Sequence, residues 1–81
     1  PVLEQAIAAD PGDLKARHLL AVHQLVGGDA AAGLEQLIEM LRRDRGYEDG
    51  LAKKALIDAF RVVEDEDLVS QYRRKMASLL F

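Results

Sequence analysis

Proline, glycine and acidic residues divide the chain into five pieces of helical length. The breaks fall at 10–13 (DPGD), 27–29 (GGD), 45–50 (RGYEDG) and 64–67 (EDED). Proline, glycine and short polar clusters at such points end helices. β-Branched residues are few, and no stretch alternates apolar with polar side chains, so the pattern predicts no strands. The sequence therefore predicts an all-α domain.

Apolar residues recur at helical spacing within these pieces. The piece at 13–27, with Asp13 as its predicted N-cap, has apolar side chains on two faces, as expected for a helix covered from two sides. The pieces at 49–63 and 67–80 each have one apolar face, and Asp67 is the predicted cap of the latter. The clearest stripe lies in the piece at 30–44: Ala30, Leu34, Leu37, Ile38 and Leu41.

Pairs of helices joined by short turns also repeat along the chain. A period of about 34 residues is typical of the tetratricopeptide repeat. Numbered from Leu14, the unit has its expected small residue at Ala21 and its turn glycine at Gly28, and the next small residue falls on Ala55. The unit departs from the pattern at several places, among them Gly33, where alanine is usual.

These features predict the domain organisation. We expect tetratricopeptide-like helical hairpins that form a fragment of a right-handed α-solenoid and end in a C-terminal capping helix. In this interpretation residues 1–10 are the tail of a preceding repeat, 13–45 form one full repeat, and 48–81 form a degenerate terminal helix pair.

The second half of the chain resembles one group of repeat proteins. The segment LRRDRGYEDGLAKKALIDAF, the acidic break and the ending DLVSQYRRKMASLLF are similar to the C-terminal region of thioredoxin-like co-chaperones of the CnoX (YbbN) type. The resemblance implies a bacterial, cytoplasmic protein in which a thioredoxin-like domain, absent from this chain, lies upstream of the repeats. It also implies that the partners are chaperonin or Hsp70 machinery and unfolded client proteins.

Composition and charge argue against other classes of function. Eleven Lys plus Arg against fourteen Asp plus Glu give a formal net charge of −3, which disfavours nucleic-acid binding. No apolar run approaches the roughly 18 residues needed to span a bilayer, so no membrane association is expected. Without cysteine the chain has neither disulfides nor thiolate ligands, and we expect a cytoplasmic location.

No set of residues points to catalysis, a metal or a cofactor. His18 and His23, five residues apart, diverge on a helix, unlike the i, i+4 pairs that share a metal. The glycines at 27–28 are not followed by a phosphate-loop signature. The basic runs at 42–45 and 73–75 are interpreted as solvated cations near helix C-termini. We therefore expect a protein-binding domain without enzyme activity.

Two surfaces are candidates for protein binding. The first is the face that the leading helix of a tetratricopeptide unit turns to the concave side of the array: Lys15, His18, Leu19, Val22, Leu25 and Val26. The face is largely apolar and the chain has no asparagine, so a clamp for an acidic C-terminal tail is disfavoured. It either holds apolar client segments or is covered by the preceding repeat or the thioredoxin-like domain.

The second candidate is the chain ending, Leu79, Leu80 and Phe81. Leu79 and Leu80 continue the apolar stripe of Tyr72 and Met76, so at least one of them is expected to pack against the fourth helix. The hypothesis is that the last helix closes the fold and also presents its final residues to a chaperonin. The alternative function is structural: the domain only rigidifies or dimerises its parent protein. The sequence does not decide whether this chain forms a homodimer.

Overall fold

The computed structural model describes residues 2–80 and has five α-helices in that range. In chain order they are α1 (Val2–Ala9), α2 (Leu14–Val26), α3 (Ala30–Arg43), α4 (Leu51–Val62) and α5 (Glu66–Leu80). A short turn at Tyr47–Asp49 precedes α4. The predicted all-α fold is confirmed.

The limits of α2 follow from local hydrogen bonding. At its start the Asp13 carboxylate accepts a hydrogen bond from the Ala16 amide at 3.0 Å, which confirms the predicted N-cap. At its end the chain reverses through Gly28, whose φ of 91° is a conformation that favours glycine. This reversal lets the Asp29 amide donate to the Gln24 carbonyl at 2.8 Å, satisfying one of the last helical oxygens.

The predicted start of the fourth helix at residue 49 is wrong. Glu48, Asp49 and Gly50 all have positive φ, at 49°, 60° and 82°, and α4 begins only at Leu51. A right-handed helix cannot include residues in this left-handed region. The three residues instead form a tight corner that sets the direction in which α4 leaves α3.

The predicted cap of the last helix is also wrong. The helix begins at Glu66, and the side chain that caps it is Asp65 rather than Asp67. The Asp65 carboxylate accepts a hydrogen bond from the Leu68 amide at 3.1 Å. The acidic run thus starts the helix two residues earlier than expected.

The helix α3 lies at the centre of the fold. It packs against α2, α4 and α5. The helix α1 makes its main contacts with α2. The stripe predicted for α3 faces the core, since Leu34, Leu37, Ile38 and Leu41 are all buried. The largest fully buried side chains are Leu34, Leu37, Ile38, Met40 and Leu56.

Gly33 allows α2 and α3 to pack closely. A Cβ atom at this position would lie 2.7 Å from Leu25 Cγ and 3.0 Å from the Ala21 carbonyl oxygen. Both distances are shorter than ordinary contacts between nonbonded atoms. The glycine that replaces the usual alanine of the repeat is therefore required by the spacing of these two helices.

The helix α5 is attached chiefly to α3. The Tyr72 hydroxyl donates a hydrogen bond to Glu35 Oε2 at 2.6 Å, and Lys75 Nζ lies 3.6 Å from the same oxygen. Lys75 Nζ also lies 4.5 Å from the centroid of the Tyr72 ring. Burial, and then the hydrogen bond and negative charge of Glu35, raise the pKa of Tyr72 to about 12.

Candidate functional site

The helices α2 and α4 form the two walls of an apolar groove of about 320 Å³. Its walls and floor consist of His18, Ala21, Val22, Leu25, Val26, Leu37, Ala55, Asp58, Ala59 and Val62. Alanines supply much of the α4 wall, and their short side chains leave the space between the helices open. His18 and Asp58 are the polar side chains among these described residues.

The valines around this groove are unusually exposed. Val26 is 84% exposed, Val62 is 73% exposed and Val22 is 45% exposed. Single exposed apolar residues are normal, but apolar residues grouped around a groove mark interaction surfaces. The valines from α2 and α4 therefore make the groove a candidate binding surface.

Most of the predicted concave face contributes to the groove. The structure brings four of its six residues together there: His18, Val22, Leu25 and Val26. Lys15 and Leu19 are also exposed but lie outside the described lining. The feature that unites the four is their position on the side of α2 that faces α4.

The residues of the α4 wall were not predicted. They are Ala55, Asp58, Ala59 and Val62. Projecting the α2 lining residues forward by the repeat period of about 34 residues recovers Ala55 from Ala21 and Ala59 from Leu25. Asp58 and Val62 have no such counterpart, and they line the groove because of how α4 lies on α3 beside α2.

The chain ending is partly built into the core. Leu79 and Leu80 are half-buried and pack against the core cluster. Arg45 Nη1 also donates a hydrogen bond to the Leu79 carbonyl at 3.3 Å, which ties the end of α5 to the segment before α4. Phe81, the third residue of the predicted docking element, lies outside the described residues.

The first basic run is engaged within α3. Glu39 pairs with Arg42 and with Arg43, whose Nε lies 2.7 Å from Glu39 Oε2. Partial burial opposes ionisation of Glu39, but the hydrogen bonds and charges of the two arginines keep the pKa of its carboxyl below the usual value. Arg42 and Arg43 therefore form an ion-pair cluster with Glu39 on α3.

Residues 2–80 form neither a metal-binding cluster nor a membrane-spanning helix. In that range no group of three or more His, Cys, Asp or Glu side chains is placed to hold a metal ion. None of the helices described there combines the length and apolar character needed to cross a bilayer.

The fold and the groove define a class of protein, an all-α domain of stacked helix pairs with an exposed apolar groove. The sequence model of the tetratricopeptide repeat family matches residues 1–81, and the chain belongs to this family. Domains of this family generally mediate protein–protein interactions. No curated protein and no solved structure matches the chain.

Proposed function

We propose that the chain is the protein-binding domain of a thioredoxin-like co-chaperone or holdase, and that it binds unfolded clients in the α2–α4 groove. The observation that carries this proposal is the group of exposed valines, Val22, Val26 and Val62, around one groove. Removing such surface from water is the main driving force of most protein association.

The chemistry of the groove fits an unfolded client. Apolar contact is non-directional, so the groove can accept many apolar sequences without reading a particular one. Burial of one leucine or valine contributes roughly 1.5–3 kcal/mol, and a groove of this size is at the lower end for ligand sites. We therefore expect weak, reversible binding of a few apolar side chains, as suits a protein that holds clients and then releases them.

The test is the binding of a permanently unfolded model protein, followed by fluorescence anisotropy. Val26→Asp places a charge at the rim of the groove, and we expect it to weaken binding about tenfold. Val2→Asp is the matched control, because Val2 is 77% exposed and Val26 is 84% exposed, yet Val2 lies outside the groove. Equal loss in both variants, or loss in neither, would place the client site elsewhere.

We further propose that the chain ending contacts a chaperonin. The deletion of residues 79–81 should abolish binding to purified chaperonin, but it also removes core contacts of Leu79 and Leu80. Phe81→Ala leaves those two contacts in place and is the sharper variant. If the deletion variant still melts cooperatively and binds as well as the intact chain, the ending has no docking role.

The second candidate function is a dimerising scaffold. It is favoured by the same exposed valines, which a second copy of the chain could cover. Sedimentation equilibrium distinguishes the two functions: a scaffold sediments as a dimer that Val62→Asp dissociates, and a client-binding domain sediments as a monomer. We propose no enzymatic role, and the proposed location is the bacterial cytoplasm.

A further inference from the structure

A second cleft lies between α4 and α5, and its described lining shares Val62 with the α2–α4 groove. It consists of two neighbouring cavities of about 640 Å³ and 440 Å³, and Phe60, Arg61 and Arg73 line both. None of these three residues lines the groove between α2 and α4. The cleft exists because α5 packs chiefly on α3, which leaves the neighbouring side of α4 uncovered.

The smaller cavity has the composition of a protein interface. Its described lining is Ile57, Phe60, Arg61, Arg73 and Met76. Aromatic residues, methionine and arginine are the side chains enriched where proteins meet. Phe60 is buried and fixed, whereas Ile57 and Met76 are half-buried, and the flexible methionine can adapt to an inserted side chain.

Both arginines are available to a new partner. The Arg73 guanidinium lies 5.4 Å from the centroid of the Phe60 ring, and a guanidinium above an aromatic face keeps its N–H edges free for a carboxylate. Arg61 Nη1 lies 3.5 Å from Asp58 Oδ1, but these side chains are 73% and 75% exposed. Such an exposed pair contributes little and is easily exchanged.

Charge varies along the cleft. Arg61 and Arg73 line both cavities, and Glu64 and Glu66 add two negative charges to the lining of the larger one. A ligand carboxylate is therefore attracted more strongly at the Met76 end, where the described lining has the two arginines without an acidic side chain. This polarity orients a bound segment.

We propose that the α4–α5 cleft docks an acidic segment of a partner protein, in which a carboxylate lies beside an apolar side chain. The carboxylate binds Arg61 and Arg73, and the apolar side chain packs on the half-buried Ile57 and Met76. The proposal is independent of the α2–α4 groove, because the groove offers no arginine and selects for apolar character alone.

The test uses the chain and a fluorescent peptide with adjacent glutamates and leucines, followed by anisotropy and by amide chemical shifts. We expect shifts along α4 and α5, and Arg73→Glu or Arg61→Glu should weaken binding about tenfold or more. Arg74→Glu is the matched control, because Arg74 follows Arg73 on α5 but is not among the described lining residues of either cavity. It should bind as the wild type does.

Two further peptides test which chemical groups the cleft recognises. Peptides with lysine in place of glutamate, or serine in place of leucine, should each bind at least about tenfold more weakly. Equal binding of either peptide would overturn the proposal, as would shifts confined to the α2–α4 groove. If Arg73→Glu lowers the melting temperature, Arg73→Gln replaces it. A binding curve that reflects self-association of the chain would also overturn the proposal.

Discussion

Gly33→Ala is expected to destabilise the chain although alanine is the better helix former. In a helix interior alanine is favoured over glycine by about 1 kcal/mol. Here, however, the new methyl group would lie 2.7 Å from Leu25 Cγ and 3.0 Å from the Ala21 carbonyl oxygen. The Ala21 oxygen can yield only if α2 moves, and Leu25 Cγ only if the side chain leaves its rotamer, and such overpacking costs roughly 1–3 kcal/mol.

Taking about 2 kcal/mol for overpacking and about 1 kcal/mol for helix propensity, the net loss in the free energy of unfolding is about 1 kcal/mol. For a domain of this size that loss lowers Tm by about 4 to 8 °C, which is easily measured by circular dichroism. A double-mutant cycle with Leu25→Ala tests the mechanism. Leu25→Ala alone destabilises by removing a partly buried side chain, but it also makes room for the new methyl group.

The cost of Gly33→Ala should therefore shrink by about 1 kcal/mol when Leu25 is already alanine. Strictly additive effects would show that the contact with Leu25 is not the source of the loss. An increase in Tm for Gly33→Ala would mean that helix propensity outweighs packing at this site, contrary to the close approach of the two helices.

Three further changes test other contacts. The free energy of unfolding should fall by roughly 2 to 3 kcal/mol between about pH 10 and 12, because the pKa of Tyr72 is raised to about 12 in the folded state. The stabilising effect of Tyr72 is therefore complete below pH 10 and is lost as the pH rises toward 12. Urea titrations of the Tyr72→Phe variant should lack this fall. Asp65→Ala should cost about 1 kcal/mol and Asp67→Ala a few tenths, in thermal melts compared side by side. Leu56→Ala should cost about 2–5 kcal/mol, because Leu56 is fully buried, and equilibrium urea unfolding should show a correspondingly lower midpoint.

The sequence predicted the core better than the binding surface. In α3 the apolar positions follow one face, and burying that face is the main source of stability for a short helix. The same periodicity does not identify the neighbour that covers each residue. Four of the ten residues that line the α2–α4 groove were therefore found from the residues of α2, while Asp58 and Val62 required the position of α4.

The two errors at helix starts have local causes. Glu48 carries no signal of left-handed conformation, and Asp49 and Gly50, which tolerate it, would also fit an ordinary turn. In the acidic run, each of four consecutive carboxylates is a reasonable cap. Only the path of the backbone decides that Asp65 reaches an amide and Asp67 does not.

The helix α4 lines both the α2–α4 groove and the α4–α5 cleft. Its geometry predicts whether ligands of the two surfaces compete. With 3.6 residues per turn, Ala55, Ala59 and Val62 lie within roughly 60° of one another, and Ile57 and Phe60 lie on the opposite side. Val62 also lines the larger cavity of the α4–α5 cleft, because it is the last residue of α4.

Ligands of the two surfaces should accordingly bind without competing along most of α4. Val26→Asp is expected to weaken the unfolded client alone, and Arg73→Glu to weaken the acidic peptide alone. Val62→Asp places a carboxylate where the two surfaces meet, so it should weaken both ligands, measured by anisotropy of each. If Val62→Asp affects only one ligand, the surfaces do not meet at the end of α4.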